Sequence, residues 1–105
     1  MNSRKKGAVG ELEFSKVLKS FGVEARRGQQ FSGGGDSPDV VHNIPGIHFE
    51  VKRVERLDIP AWIEQAQNDA GPSLPVVASR RNRGKWIAMI DMDDFLRFLT
   101  RGGAL

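Results

Sequence analysis

Asp39, Glu50 and Lys52 are the residues of this chain whose types and spacing could do chemistry. The run P-D-V-V-H-N-I-P-G-I-H-F-E-V-K-R, residues 38–53, sets one carboxylate at the mouth of an apolar strand. A second carboxylate, with a lysine two positions on, interrupts the next strand. Side chains two apart on a strand share a face, so Glu50 and Lys52 point the same way. If the two strands pair, about 4.8 Å apart, Asp39 and Glu50 can share one cation at the oxygen–metal distance of about 2.0–2.1 Å that Mg²⁺ requires. The Lys52 ammonium can then hold or deprotonate a water, or neutralise charge building on a phosphate. These are the parts of metal-assisted phosphodiester hydrolysis. The bland alternative is a structural Glu50–Lys52 salt bridge on one strand face.

The elements that must position these groups can be read from periodicity. Phe14, Val17, Leu18 and Phe21 fall on one stripe at helical spacing, which predicts a helix over residues 7–21 ended by Gly22. Gly7 and Gly10 lie on that stripe and invite close approach. Glu11 sits on its edge, where a half-buried carboxylate must find a partner. Residues 23–27 read as a short strand, followed by a glycine-rich surface loop, G-Q-Q-F-S-G-G-G-D-S-P. Asp39-Val40-Val41 begins the next strand, H-N-I-P-G turns the chain, and residues 47–53 return it as the other arm of a hairpin. On that arm Ile47, Phe49 and Val51 face one way, and His48, Glu50 and Lys52 the other.

A helix opens at Asp58 or Ile59 with Pro60 in its first turn and stops at Gly71-Pro72. Residues 75–79 and 85–90 read as strands joined by the basic turn R-R-N-R-G-K, in which Asn82 or Gly84 takes the positive φ. Asp91 caps a last helix over residues 92–100. The order α-β-β-β-α-β-β-α predicts an α/β fold, a mixed central sheet flanked by helices, in a single domain of 105 residues.

Composition narrows the class. There is no cysteine, which excludes a disulfide framework and a cysteine zinc site. No apolar run is long enough to span a bilayer, and no secretory h-region follows the charged start, so the expectation is a soluble cytoplasmic protein. The net charge of +3 is unevenly spread. Residues 1–35 carry seven Lys/Arg against three acids, residues 36–70 three against seven, and residues 71–105 six against three. Basic flanks around an acidic middle suit a polyanion bound beside a cation-binding site. The alternative is an ordinary solvated surface of mixed charge.

The P-D step followed by F-E-V-K resembles the motif of the PD-(D/E)xK nuclease superfamily. R-K-K-G-A-V-G-E-L-E-F, A-R-R-G-Q-Q-F-S-G-G-G, S-P-D-V-V and H-F-E-V-K-R, in this order, resemble the archaeal-type Holliday junction resolvases. Arg53 stands where that family often has a small hydroxyl residue. The resemblance implies a restriction-endonuclease-like core and a homodimer that resolves four-way DNA junctions. It implies Mg²⁺, with Mn²⁺ able to substitute, and no small-molecule cofactor or membrane. Asp39 and Glu50 would be metal ligands, with the Val51 carbonyl and Glu11 assisting. Lys52 would act on the water or the transition state, and Ser32 would reach the scissile phosphate. Cleavage would leave a 5′-phosphate and a 3′-hydroxyl. Arg4, Lys5, Lys6, Arg26 and Arg27 would bind DNA backbone.

Other residues carry weaker signals. Arg53 and the basic turn Arg80, Arg81, Arg83 and Lys85 are candidate DNA contacts. Gln65 could point toward the metal, though glutamines on helices are usually solvated. His48 reads as structural or edge-exposed and His42 as an inert turn residue, and Trp62 and Trp86 as core or interface. Alternatives to a junction resolvase are a less selective nuclease acting on flaps, nicks or phage DNA, and a DNA-binding module without catalysis.

Overall fold

A computed structural model describes residues 3–28 and 39–101, with side chains described from Gly7 onward. Ser32 and Pro38 therefore lie outside the described residues, as do the side chains of Arg4, Lys5 and Lys6. The elements are α1 (Ser3–Ser20), β1 (Ala25–Arg27), β2 (Val40–His42), β3 (Ile47–Lys52), α2 (Ile59–Ala70), β4 (Leu74–Ser79), β5 (Ile87–Met89) and α3 (Met92–Arg101). The order matches the pattern read from the sequence, and the fold is α/β. Among the described residues no helix is long and apolar enough to cross a membrane.

The strand pairing differs from expectation. Residues 39–53 do not form a paired hairpin. β2 pairs antiparallel with β1, and β3 pairs in parallel with β4, from Ile47↔Leu74 to Lys52↔Ser79. β5 completes a three-stranded sheet in the order β3-β4-β5, so the described strands make two sheets rather than one central one. The cause is the α2 crossover. A parallel pair needs a connection of a dozen or more residues, and α2 supplies it, so that α1 covers one face of the β3–β4 pair and α2 the other.

Those faces can be named. On one, Phe14 and Leu18 of α1 pack with Val40, Val51 and Ala78, and Phe14 meets the rings of Phe49 and Trp86 at 5.0 and 5.1 Å. On the other, Trp62 and Ala66 of α2 cover Val77. Val77 and Ala78 thus point to opposite sides, as strand alternation requires. α1 ends in a paired-bond cap. Gly22, at φ 86°, allows Val23 N–H to donate to the Leu18 carbonyl (3.0 Å) and Gly22 N–H to that of Lys19 (2.9 Å). Asp91 caps α3 as expected, accepting from Asp94 N–H at 3.0 Å. In the basic turn the positive φ falls on Arg83 (61°) rather than on Asn82 or Gly84.

Of the two glycines on the α1 stripe, Gly10 is the one the fold uses. A Cβ there would stand 2.5 Å from Arg53 Cβ, whereas a Cβ at Gly7 would meet nothing within 4 Å. Gly10 therefore sets how closely α1 lies on the end of β3, and Glu11 follows it in the chain. Gly10→Ala is expected to destabilise the protein by about 1–2 kcal/mol, the clash outweighing the gain in helix propensity. Gly7→Ala is expected to stabilise it by about 0.5–1 kcal/mol. Urea unfolding of both variants checks the contrast.

Candidate metal centre

β3 sends His48, Glu50 and Lys52 toward α2, as its alternation predicted. Phe49 and Val51 turn to the α1 side. Glu50 is only 3% exposed, an unusual place for a carboxylate. Asp39 reaches β3 through its side chain rather than through a strand ladder. Its Oδ2 accepts the Val51 N–H at 2.8 Å, on the edge strand of the three-stranded sheet. Glu11 enters from α1 at 7% exposure, and its Oε1 receives Arg27 Nε at 3.2 Å. The half-buried acid that the helical stripe implied has thus found its partner. It is a residue expected on the DNA surface instead.

Asp39 and Glu11 both feel their burial and the neighbouring acids. Burial pushes the Asp39 carboxyl up to about 7, and the charges of Glu50 and Glu11 push the same way; the Val51 N–H and the Lys52 ammonium oppose them. Burial also raises Glu11, with Arg27 opposing and Glu50 adding to the rise. A buried carboxyl held against the charge of neighbouring acids, as Asp39 is, suits a site that a cation completes. The donors, Glu11 on α1, Asp39 just before β2 and Glu50 on β3, are carboxylates, the ligand type that Mg²⁺ and Mn²⁺ favour. On these observations the residues fit the divalent cation that the sequence implied.

The alternative of a Glu50–Lys52 salt bridge is not how these two groups are held. Lys52 Nζ donates to Gln65 Oε1 on α2 at 2.7 Å. Glu50 Oε2 lies 3.3 Å from His48 Nε2. Asp69, one turn beyond Gln65 on α2, joins His48 and Glu50 in a group whose ligand atoms all lie within 4.8 Å of one another. Asp69 was not among the sequence candidates, and His48, read there as structural or edge-exposed, stands half-buried beside Glu50. The available signal was spacing: His48 shares the Glu50 face at i−2, and Gln65 and Asp69 share a helix face at i, i+4. His42, by contrast, is a local structural residue. Its Nδ1 accepts the Ile44 N–H at 3.0 Å and its ring meets Phe49 edge-on.

The basic candidates divide into two groups. Arg53 is a clamp, with a side chain 12% exposed that reaches Glu13 (3.4 Å), Glu55 (3.5 Å) and the Arg80 carbonyl (3.5 Å). Arg80 binds Glu13 at 2.9 Å and the Gly84 carbonyl at 2.9 Å. Both were expected to contact DNA, and both instead tie α1 to the ends of β3 and β4. Arg26, Arg81, Arg83 and Lys85 are exposed, and Arg27 is half exposed beside Glu11. Trp62 is core, and Trp86 packs on Phe14, as expected for core residues.

No family model, curated protein or solved structure matches this chain.

Proposed function

We propose that this protein is a metal-dependent DNA endonuclease with a restriction-endonuclease-like core, acting as a homodimer on four-way junctions. The observation that carries the reading is the seating of Asp39 on β3 through the Val51 N–H, beside the buried Glu50 and within reach of the charges of Glu11 and Lys52. Asp39 and Glu50 would hold Mg²⁺ or Mn²⁺, with the Val51 carbonyl and Glu11 assisting. When bound, the cation supplies Lewis acidity at the phosphate and lowers the pKa of a water. The chain's own groups do the rest. The Val51 N–H fixes the Asp39 carboxylate, and Gln65 holds the Lys52 ammonium ready to position the attacking water or to meet charge developing on the phosphoryl oxygens. Arg26, Arg81, Arg83 and Lys85 offer sequence-independent contacts to DNA backbone.

Junction preference rests on the resemblance of the residue 4–53 motifs to the archaeal-type resolvases, and on symmetry. A four-way junction presents two equivalent strands, and a two-fold dimer presents two sites. The test is a substrate panel: a labelled four-way junction, a linear duplex and a flap, each with Mg²⁺. Paired symmetric cuts confined to the junction, bearing 5′-phosphates, are the expected result. Equal cutting of all three would reassign the protein as a less selective nuclease. Tight binding without cutting would make it a DNA-binding module.

A further inference from the structure

The deepest acid of the site has a second side. Among the described residues, Glu50 makes no ion pair with an arginine or a lysine: Lys52 is turned to Gln65, and Arg27 to Glu11. Its near neighbours on the α2 side are His48, at 3.3 Å, and Asp69. A carboxylate 3% exposed must be compensated. Bringing a further acid, Asp69, up to it makes the demand for positive charge larger. The spacing of the three groups also suits a common ion. Donor atoms about 2.0–2.2 Å from one metal lie roughly 3–4 Å from one another, and these fall within 4.8 Å before any ion draws them in. β3 fixes His48 and Glu50 on one face, while the exposed Asp69 closes the group from α2 and leaves a path to solvent.

We propose that Glu50 is shared between two cation positions, and that the second, built by His48, Glu50 and Asp69, selects a first-row transition ion such as Mn²⁺ over Mg²⁺. The chemistry is that of the donor set. One imidazole nitrogen with two carboxylates suits Mn²⁺, Co²⁺ or Zn²⁺, whereas Mg²⁺ prefers oxygen donors and retained waters. Two cations on either side of one carboxylate also match the clamp that two-metal sites place around a phosphodiester. The inference rests on the nuclease reading for its role in cleavage, but not for its existence as a binding site.

The test is ion binding by this 105-residue chain stripped of metal, followed by titration calorimetry and by the electron paramagnetic resonance of free Mn²⁺. Wild type is expected to take up two Mn²⁺ but one Mg²⁺. Asp69→Asn, a change at an exposed position, is expected to take up one Mn²⁺. His48→Gln is expected to weaken the second Mn²⁺ by at least about tenfold, since losing a direct ligand costs no less than losing an outer partner. In cleavage assays Asp69→Asn should lose any extra rate that Mn²⁺ gives over Mg²⁺. Circular dichroism melts establish that each variant is folded. Equal Mn²⁺ stoichiometry and affinity in wild type, Asp69→Asn and His48→Gln would overturn the second site, even if Mg²⁺-dependent cleavage is intact. Two Mn²⁺ sites in a protein that cuts no DNA would uphold the site and sink the nuclease reading instead.

Discussion

Asp39→Asn is expected to make the metal-free protein more stable at pH 8, by about 2 kcal/mol, while removing cleavage. The carboxyl is raised from an ordinary 3.8 to about 7 in the fold, first by burial and then by Glu50 and Glu11. Between those values the folded state binds a proton that the unfolded chain has released. Stability therefore falls as pH rises from about 4 to about 7, the reverse of a salt-bridged aspartate. At about 1.4 kcal/mol for each pH unit between the two values, the penalty is at most about 4 kcal/mol. Residual solvent access and coupling to Glu50 reduce it to roughly half. Asparagine carries no charge, and its side-chain oxygen can still accept the Val51 N–H. Urea unfolding in EDTA at pH 4.5, 6 and 8 should show wild type and variant converging at low pH and separating above it. Added Mg²⁺ should recover wild-type stability at pH 8 and leave the variant unchanged. A variant that is destabilised equally at every pH would remove the argument that Asp39 is held under electrostatic strain for a cation.

Lys52→Ala is expected to slow cleavage by about 10²–10³-fold, the usual loss when one preorganised group facing transition-state charge is removed. Binding to DNA should change by no more than a few-fold, because the half-buried Lys52 is held by Gln65 on α2 and is one cation apart from the exposed basic turn. Arginine should not rescue it: a planar fork cannot replace a compact ammonium at this position. Gln65→Leu should give a smaller loss, since it frees the ammonium without deleting it. Single-turnover rates at saturating enzyme separate these effects from binding. A Lys52→Ala rate within about tenfold of wild type would place the positive charge of the reaction elsewhere.

The parts of this fold that were legible in the sequence are those set by local periodicity and punctuation. The β3 alternation put His48, Glu50 and Lys52 on one face, and the structure keeps them there. Pro60 and Gly71 bounded α2 within a residue, Asp91 capped α3, and the small side of the α1 stripe gave Gly10 its close approach to Arg53. What was not legible depends on long-range pairing. The turn between β2 and β3 looked like a hairpin because it is short and glycine-bearing. Whether two adjacent strands pair, however, depends on which alternative buries more surface, and here β4 wins β3 through the α2 crossover.

The same limit applies to charge. Nothing local distinguishes Arg53 and Arg80, which clamp Glu13, from Arg81 and Arg83, which face solvent. Asp69 could not be linked to Glu50 until α2 was laid across β3. At Arg83 the turn places its left-handed residue by the geometry of the Arg81–Gly84 bond (2.9 Å), against the intrinsic preference for Asn82 or Gly84.

The most direct measurement compares wild type and Glu50→Gln on a labelled four-way junction with and without Mg²⁺, with DNA binding followed in parallel. Glutamine keeps the size of the buried side chain and can still bond His48, but it cannot offer a carboxylate to a cation. Wild type is expected to cleave in Mg²⁺ and not in EDTA. The variant is expected to cleave in neither condition, with junction affinity retained or raised because a negative charge near the phosphate is gone. Cleavage by Glu50→Gln at the wild-type rate, or cleavage by wild type that persists in EDTA, would contradict a metal-dependent nuclease built on Glu50.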